Sequence, residues 1–335
     1  MLKRALKMAA GALYLRSGSG KQALADRAVI LMLHRVVESD EAASLPHRNE
    51  LCVGQHSFDR LLGWLKRHFD ICELEPLLTT PSSSDRPRLA LTFDDGWHDN
   101  ATLAFPILQR HQVPASIFLS TDFIGTRQGF WWESIGETLW GSFGLAAIDS
   151  LLPRLAASGK PVPELLRSMP QNADRSRLVM RYLASLKDLP APTLQALADS
   201  CPLSDPPQAM SWAQVTELEQ SGLIRFGAHG ASHALLDCLS PSQLQQDISR
   251  SLAAIASHCE QPLPIYCYPN GNYSASVTAC IQQHALPFAL STRAGIYSAQ
   301  SSMPYGLPRI GISQAVAAAP ALLGWRIQQA GRPHH

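Results

Sequence analysis

Leu89-Ala-Leu-Thr-Phe-Asp-Asp-Gly96 is the stretch on which the reading of this chain turns. A short apolar run leads into two adjacent carboxylates, and a glycine then turns the chain. Near-continuous hydrophobicity over a few residues suits a parallel strand buried on both faces. The carboxyl end of such a strand is where α/β proteins build their sites. Neighbouring residues at a strand end point different ways, so Asp94 and Asp95 can divide labour. One can hold a metal ion while the other handles a proton. Taken alone, a solvated Asp-Asp-Gly turn reads equally well.

Similar apolar runs occur at 28–33, 115–119, 224–228, 265–268 and 288–291. Helical patterns lie between them. Phe58, Leu61, Leu62, Leu65 and Phe69 share one face, which predicts an amphipathic helix over 56–69. Ser211 with Gln214, and Ser240 with Gln243, are capping boxes; Pro241 opens the second helix and Gly222 ends the first. The alternation predicts an α/β fold, as a parallel barrel or a doubly wound sheet. From about 126 to 207 the rhythm breaks into Leu- and Ala-rich stretches punctuated by prolines, read as a mainly helical insertion. A surface loop is expected at 81–85.

The chain has 335 residues, 46% hydrophobic and 16% charged, enough for one large domain or two ordinary ones. A net charge of +1 excludes the basic field of a nucleic-acid binder. The seven cysteines include no C-x-x-C pair, which argues for free thiols in a reducing, cytoplasmic setting. No apolar run reaches the ~18 residues of a spanning helix. Residues 1–25 form a basic segment without an acid. On a helix, Leu2, Ala5, Leu6, Ala9 and Leu13 share a face opposite Lys3, Arg4 and Lys7. That pattern fits peripheral contact with an anionic membrane at its inner face. It fits equally a helix packed on the catalytic domain, 26–335, with a solvated basic side.

The second chemical signal is His229-Gly-Ala-Ser-His233, directly after the run 224–228. Histidines at i and i+4 face the same way on a helical turn, a spacing that suits two ligands of one metal. Two histidines and one carboxylate make a three-ligand site with open positions.

These motifs resemble the polysaccharide deacetylases of the NodB-homology type, carbohydrate esterase family 4. Thr92-Phe-Asp-Asp-Gly96 is similar to their first motif, and His229-Gly-Ala-Ser-His233 to their His-x-x-x-His motif. Tyr266-Cys-Tyr-Pro-Asn-Gly271 resembles the segment that closes the site. The resemblance implies a distorted (β/α) barrel carrying the helical insertion. It implies a hydrolase that removes N-acetyl groups from an aminosugar-containing glycan or glycolipid precursor of surface polysaccharide. By the same resemblance Asp95, His229 and His233 hold one divalent ion, zinc first, with cobalt or nickel as alternatives. Asp94 is then the base, and a backbone N–H near Asn270 faces the oxyanion, with Tyr268 beside it. Trp131 and Trp132 either stack on sugar rings or anchor the insertion.

Three positions depart from the family pattern. Where many relatives carry an arginine that pairs with the base, this chain has Cys267. Arg309, in Leu307-Pro-Arg-Ile310, is the expected substitute, unless it lies on a surface loop. The usual Leu-x-His bearing the general acid is missing, and Gly230 replaces a common Ser or Thr. His34, in Leu31-Met-Leu-His-Arg-Val36, follows a buried strand. A similar segment in the exopolysaccharide-type branch, to which the resemblance is closest, puts its histidine in the active site. A donor with pKa near neutral suits amine departure. Two other functions fit the same residues: a deformylase acting on a lipid-linked aminosugar, and a catalytically dead glycan-binding module.

Overall fold

Side chains along the first buried strand, β1 (Arg27–Leu33), alternate between two apolar environments. Ala28 and Ile30 join a cluster with Ala90, Phe118, Ile265 and Leu307. Val29, Leu31 and Leu33 join a second, larger cluster. A strand puts successive side chains on opposite faces, so these are the inside and the outside of one sheet. The same parity runs through β2 (Arg88–Phe93), β3 (Ala115–Leu119), β4 (Ile224–Ala228), β5 (Ile265–Cys267), β6 (Phe288–Ala294) and β7 (Leu307–Gly311). Each strand pairs in parallel with the next in chain order. β7 returns to β1, with Leu31 opposite Ile310, and the sheet closes. Closure decides for the barrel against the doubly wound sheet. The computed structural model describes residues 2–48, 50–81, 86–300 and 303–331. The loop expected at 81–85 lies outside them from residue 82 onward.

The inner cluster continues into Leu74, Leu77 and Leu78 of the helix Leu74–Thr79. That helix follows a short strand paired to the start of β2, so it plugs the amino end of the barrel. Gly227 shares the inward parity, and a Cβ there would come within 2.6 Å of the Phe118 ring. The outer cluster is covered by helices, among them Gln55–His68 with Phe58, Leu61, Leu62 and Leu65. Both capping boxes form. The carboxyl end of the barrel is left for a site.

Between β3 and the helix Trp212–Gln220 that leads into β4, the chain makes five helices: Trp131–Trp140, Leu145–Ala157, Leu165–Ser168, Ala173–Leu186 and Ala191–Ala198. Ile135, Leu139, Leu151, Leu155, Val179 and Leu186 pack them around a cluster of their own. What ties this excursion to the barrel is a set of buried charges. Arg35, just beyond β1, donates to Asp99 at 2.7 Å and to Glu133 of the first insertion helix at 2.6 Å. Arg48 donates to the same Glu133 oxygen at 2.6 Å. Burial pushes the Glu133 carboxyl up in pKa, but Arg35 and Arg48 override it and hold it at about 2.

Glu133→Gln is expected to cost about 3–5 kcal/mol of stability near neutral pH, because two buried guanidiniums then lose the carboxylate they share. Glu133 titrates in the folded chain at about 2, below its ordinary 4.5. Its contribution is therefore complete above 4.5 and is lost as pH falls through about 2. Urea midpoints of wild type and variant should converge in acid. A gap that stays constant with pH would show that the charge of Glu133 is not what stabilises the junction.

Candidate active site

The inward parity carries beyond the strand ends. Ala28 and Ile30 lead to His34, Ala90 to Asp94, Gly227 to His229, Ile265 to Cys267, and Leu307 to Arg309. Five side chains that can bind, donate or ionise thus converge at the carboxyl mouth. Nothing more than period two and barrel closure is needed to bring them together.

Asp94 and Arg309 form the centre of this set. Both are essentially inaccessible to solvent. The guanidinium meets the carboxylate in a two-point fork, Nη1 to Oδ1 at 2.7 Å and Nη2 to Oδ2 at 2.8 Å. Its remaining donors are also placed: Nε donates to the Ser291 carbonyl at 2.9 Å and Nη1 to the Thr92 hydroxyl at 3.0 Å. The Thr92 hydroxyl in turn donates to the Leu31 carbonyl. Burial pushes the Asp94 carboxyl up, but Arg309, with His229 and His34 adding, holds it at about 2. Asp94 is an anion at neutral pH. The Cys267 thiol points at Asp94 Oδ1 from 3.5 Å, and burial keeps it protonated. His34 Nε2 lies 3.9 Å from Asp94 Oδ2, with the side chain 15% exposed. Burial lowers the His34 pKa more than the two aspartates raise it, so the ring is neutral at neutral pH.

Asp95 turns out of this parity. Its φ of 77° is left-handed, as is that of Gly96 at 84°. A buried non-glycine residue held there stores strain, a cost that clusters at functional sites. The turn aims the Asp95 carboxylate at the loop after β4. Oδ2 accepts a hydrogen bond from Trp97 Nε1 at 2.8 Å. Oδ1 is buried and has no hydrogen-bond partner. It faces His229 Nε2 at 3.3 Å and His233 Nε2 at 3.2 Å. His229 Nδ1 donates to the Cys267 carbonyl at 2.9 Å, which fixes the ring with Nε2 turned to Asp95. The two imidazoles do not converge by helical spacing, because residues 229–233 form no helix. Left-handed φ at Gly230 (74°) and His233 (54°) folds the loop back instead.

Asp247 holds that loop, and sequence reading did not find it. It accepts from the N–H groups of Ala231 and Ser232 at 2.8 and 3.0 Å and from the Ser232 hydroxyl. A Cβ on Gly230 would lie 3.1 Å from Asp247 Oδ1, so the missing Ser or Thr is the condition for this wrap. A signal existed: Asp247 interrupts the apolar stripe Leu244, Ile248, Ile255 of the helix Pro241–His258.

Asp95, His229 and His233 present one ligand atom each, all within 4.8 Å of one another. Two imidazole nitrogens and an orphaned carboxylate oxygen are a donor set that fits a divalent first-row ion. A second cluster, Asp94, His229 and Cys267, meets the same spacing. It fits less well. Both Asp94 oxygens are engaged by Arg309, and a guanidinium beside the site repels a cation.

The other expected residues separate. Trp132 packs against His233, ring centres 4.6 Å apart, and its Nε1 is buried without a partner. Trp131 packs into the insertion's own core. Tyr268 lies in the outer layer, its ring stacked on Tyr273 and its hydroxyl on the Tyr305 carbonyl, away from the inward parity of Cys267. The Asn270 side chain is exposed and accepts from Lys187 at 2.7 Å. Trp97 and Arg35 join the site unforeseen, the Arg35 guanidinium lying 4.3 Å over the Trp97 ring that orients Asp95.

A closed parallel barrel with a carboxylate–histidine cluster at its mouth defines a class of hydrolase, and comparison gives the family. The family profile described as polysaccharide deacetylase matches residues 82–289, and the chain belongs to that family, whose members hydrolyse amide bonds. Among solved structures it is similar to the deacetylase PplD of Streptococcus pyogenes in complex with acetate: 18% identity, 92% of this chain and 99% of that one covered, TM-score 0.58. It is likewise similar to IcaB from Ammonifex degensii, at 15% identity, 90% and 97% coverage and TM-score 0.57. The deacetylase domain of BpsB from Bordetella bronchiseptica gives 14%, 85% and 96%, and 0.52. At these identities the likeness is one of fold. Comparison with curated proteins finds no match.

Arg309→Met should lower stability by about 3–5 kcal/mol, since Asp94 would remain buried without its partner. Urea unfolding measures it. Unchanged stability would mean that Asp94 is carried by other groups.

Proposed function

We propose that the chain removes N-acetyl groups from an aminosugar-bearing glycan or a lipid-linked glycan precursor, using one divalent ion, zinc in the first place. The observation that carries this reading is Asp95 Oδ1, buried and unpartnered between two imidazole nitrogens, beside a second aspartate held ionised by arginine. Asp95, His229 and His233 would hold the ion. When bound, such an ion lowers the pKa of water and polarises an acetamide carbonyl. The acetate held by the similar PplD is the product this reaction would release.

The chain's own residues supply the proton steps. Asp94, anionic at rest, takes a proton from the attacking water as its oxygen bonds to the amide carbon. Arg309 keeps Asp94 oriented throughout. The backbone N–H of Asn270 is the donor we assign to the developing oxyanion, since the Gly271 and Asn272 N–H groups already donate to Tyr268 and Pro269. His34, neutral at rest and 3.9 Å from Asp94 Oδ2, relays the proton from Asp94 to the leaving nitrogen. The C–N bond breaks, and acetate and a free amine leave. Trp132, beside His233, offers its unpartnered Nε1 to the sugar. A binding module has no use for an ionised base fixed by a buried arginine, which favours the enzyme reading. Seven separate thiols suit a reducing compartment, and we place the enzyme on the cytoplasmic side.

Three outcomes are expected. His229→Ala and His233→Ala should each lose the metal found by elemental analysis of the purified chain, whereas Asp94→Asn should retain it and release almost no acetate from N-acetylated chitooligomers or the native glycan. Asp94→Asn turning over at more than a few per cent of wild type would name another base. His34→Ala should lower kcat by about 10²–10⁴ with metal content unchanged; normal turnover would remove His34 from the relay. Formate released in place of acetate would identify a deformylase.

A further inference from the structure

The helix Leu2–Arg16 is turned inside out. An amphipathic surface helix ordinarily buries its apolar stripe. Here the side that packs on the body is the small-residue side. Gly11 lies against Gly324 of the helix Ala321–Ala330, so close that a Cβ on Gly11 would meet Trp325 N at 2.4 Å. Leu15 is buried beside it. The apolar stripe faces solvent: Leu2 is 75% exposed, Leu6 61% and Leu13 71%, with Ala5 and Ala9 exposed between them. Lys3, Arg4 and Lys7 lie exposed on the other side of the helix, Arg16 and Lys21 follow, and no acidic residue precedes Asp26.

The helix also has a fixed place relative to the barrel. Arg4 donates to the carbonyl of Ala315, which follows the carboxyl end of β7. The amino end of the helix, with Leu2, Leu6 and three of the basic residues, therefore lies at the end of the barrel that carries the site. Its other end descends to the start of β1.

We infer that this stripe is a docking surface for an anionic lipid bilayer. Three leucines would enter the boundary between headgroups and acyl chains, while the long stems of Lys3, Lys7, Arg16 and Lys21 let their charges reach the headgroups. Charge selects this occupant over a second copy of the chain. An isologous pair would set basic residues against basic residues, with no acid in the segment to neutralise them. It also selects anionic over neutral lipid, each basic side chain near such a surface being worth about 1 kcal/mol. The surface is independent of the deacetylase reading. If that reading holds as well, docking brings the mouth of the barrel to the membrane, where a lipid-linked glycan would be found.

The test is sedimentation of the full chain with vesicles of phosphatidylcholine alone or mixed with phosphatidylserine, at low and high salt. Binding is expected to the mixed vesicles only, and to fall as salt rises. Leu6→Gln with Leu13→Gln, at exposed positions, should reduce it about tenfold or more. Lys3→Gln with Lys7→Gln should reduce it about 30-fold at low salt. Vesicle binding equal in wild type and both variants overturns the proposal. So does failure of the wild type to bind, or a dimer in sedimentation velocity that the leucine variant dissolves. Acetate release from a soluble substrate, unchanged in both variants, separates loss of docking from loss of catalysis.

Discussion

Everything at the mouth of the barrel depends on one buried ion pair. Asp94 directly follows β2 and Arg309 sits on β7, the two strands that flank β1 where the sheet closes. Burying two charges is costly, and their attraction offsets that only with good geometry and satisfied donors. Here the fork is two-pointed and the other guanidinium donors reach Thr92 and Ser291. The pair does more than fasten the seam. It fixes the difference between two adjacent aspartates. Asp94 has both oxygens committed to a cation and stays ionised, whereas Asp95 leaves one oxygen bare before two imidazoles. Neighbouring carboxylates with opposite surroundings are what divided acid–base and ligand roles require.

The insertion reaches this centre by two routes. Trp132 lies against the His233 ring. The next residue, Glu133, binds Arg35, whose guanidinium covers Trp97, and Trp97 donates to Asp95. A segment with its own apolar core thus touches one proposed ligand directly and reaches a second through Arg35 and Trp97. His47, buried beside Glu133 with neither ring nitrogen hydrogen-bonded, is pushed down to about 4 and stays neutral. Among the described residues, the junction therefore carries two guanidiniums against its carboxylates and no further cation.

The barrel was legible because its strands are short apolar runs. Two of them, 115–119 and 224–228, begin and end in the structure where the sequence reading puts them. β7 was not read as a strand. It holds five residues with Pro308 inside, and proline demotes a strand pattern. Yet Arg309 had been singled out, and strand parity explains its burial. The His229–His233 pair was legible as a pair, but by the wrong geometry: a loop with left-handed residues, rather than a helical turn, brings the rings together. Asp99 was visible only through the family resemblance of Asp99-Asn100, and nothing local tied it to Arg35 or Glu133. Arg35 lies 64 positions from Asp99 and 98 from Glu133. Each reads as an ordinary polar residue until the fold buries all three.

The cysteine at 267 and the arginine at 309 are one fact rather than two. The side chain at 267 points inward at Asp94 Oδ1, from a strand two removed from β7. A guanidinium delivered from there would find both carboxylate oxygens already taken from the β7 side. It would be a second buried cation with one anion between two, which a dry interior does not tolerate. The barrel has room for a single arginine on Asp94. Supplying it from β7 obliges β5 to present something small and uncharged at the same height. A protonated thiol meets that demand, and the backbone carbonyl of the same residue is left to orient His229.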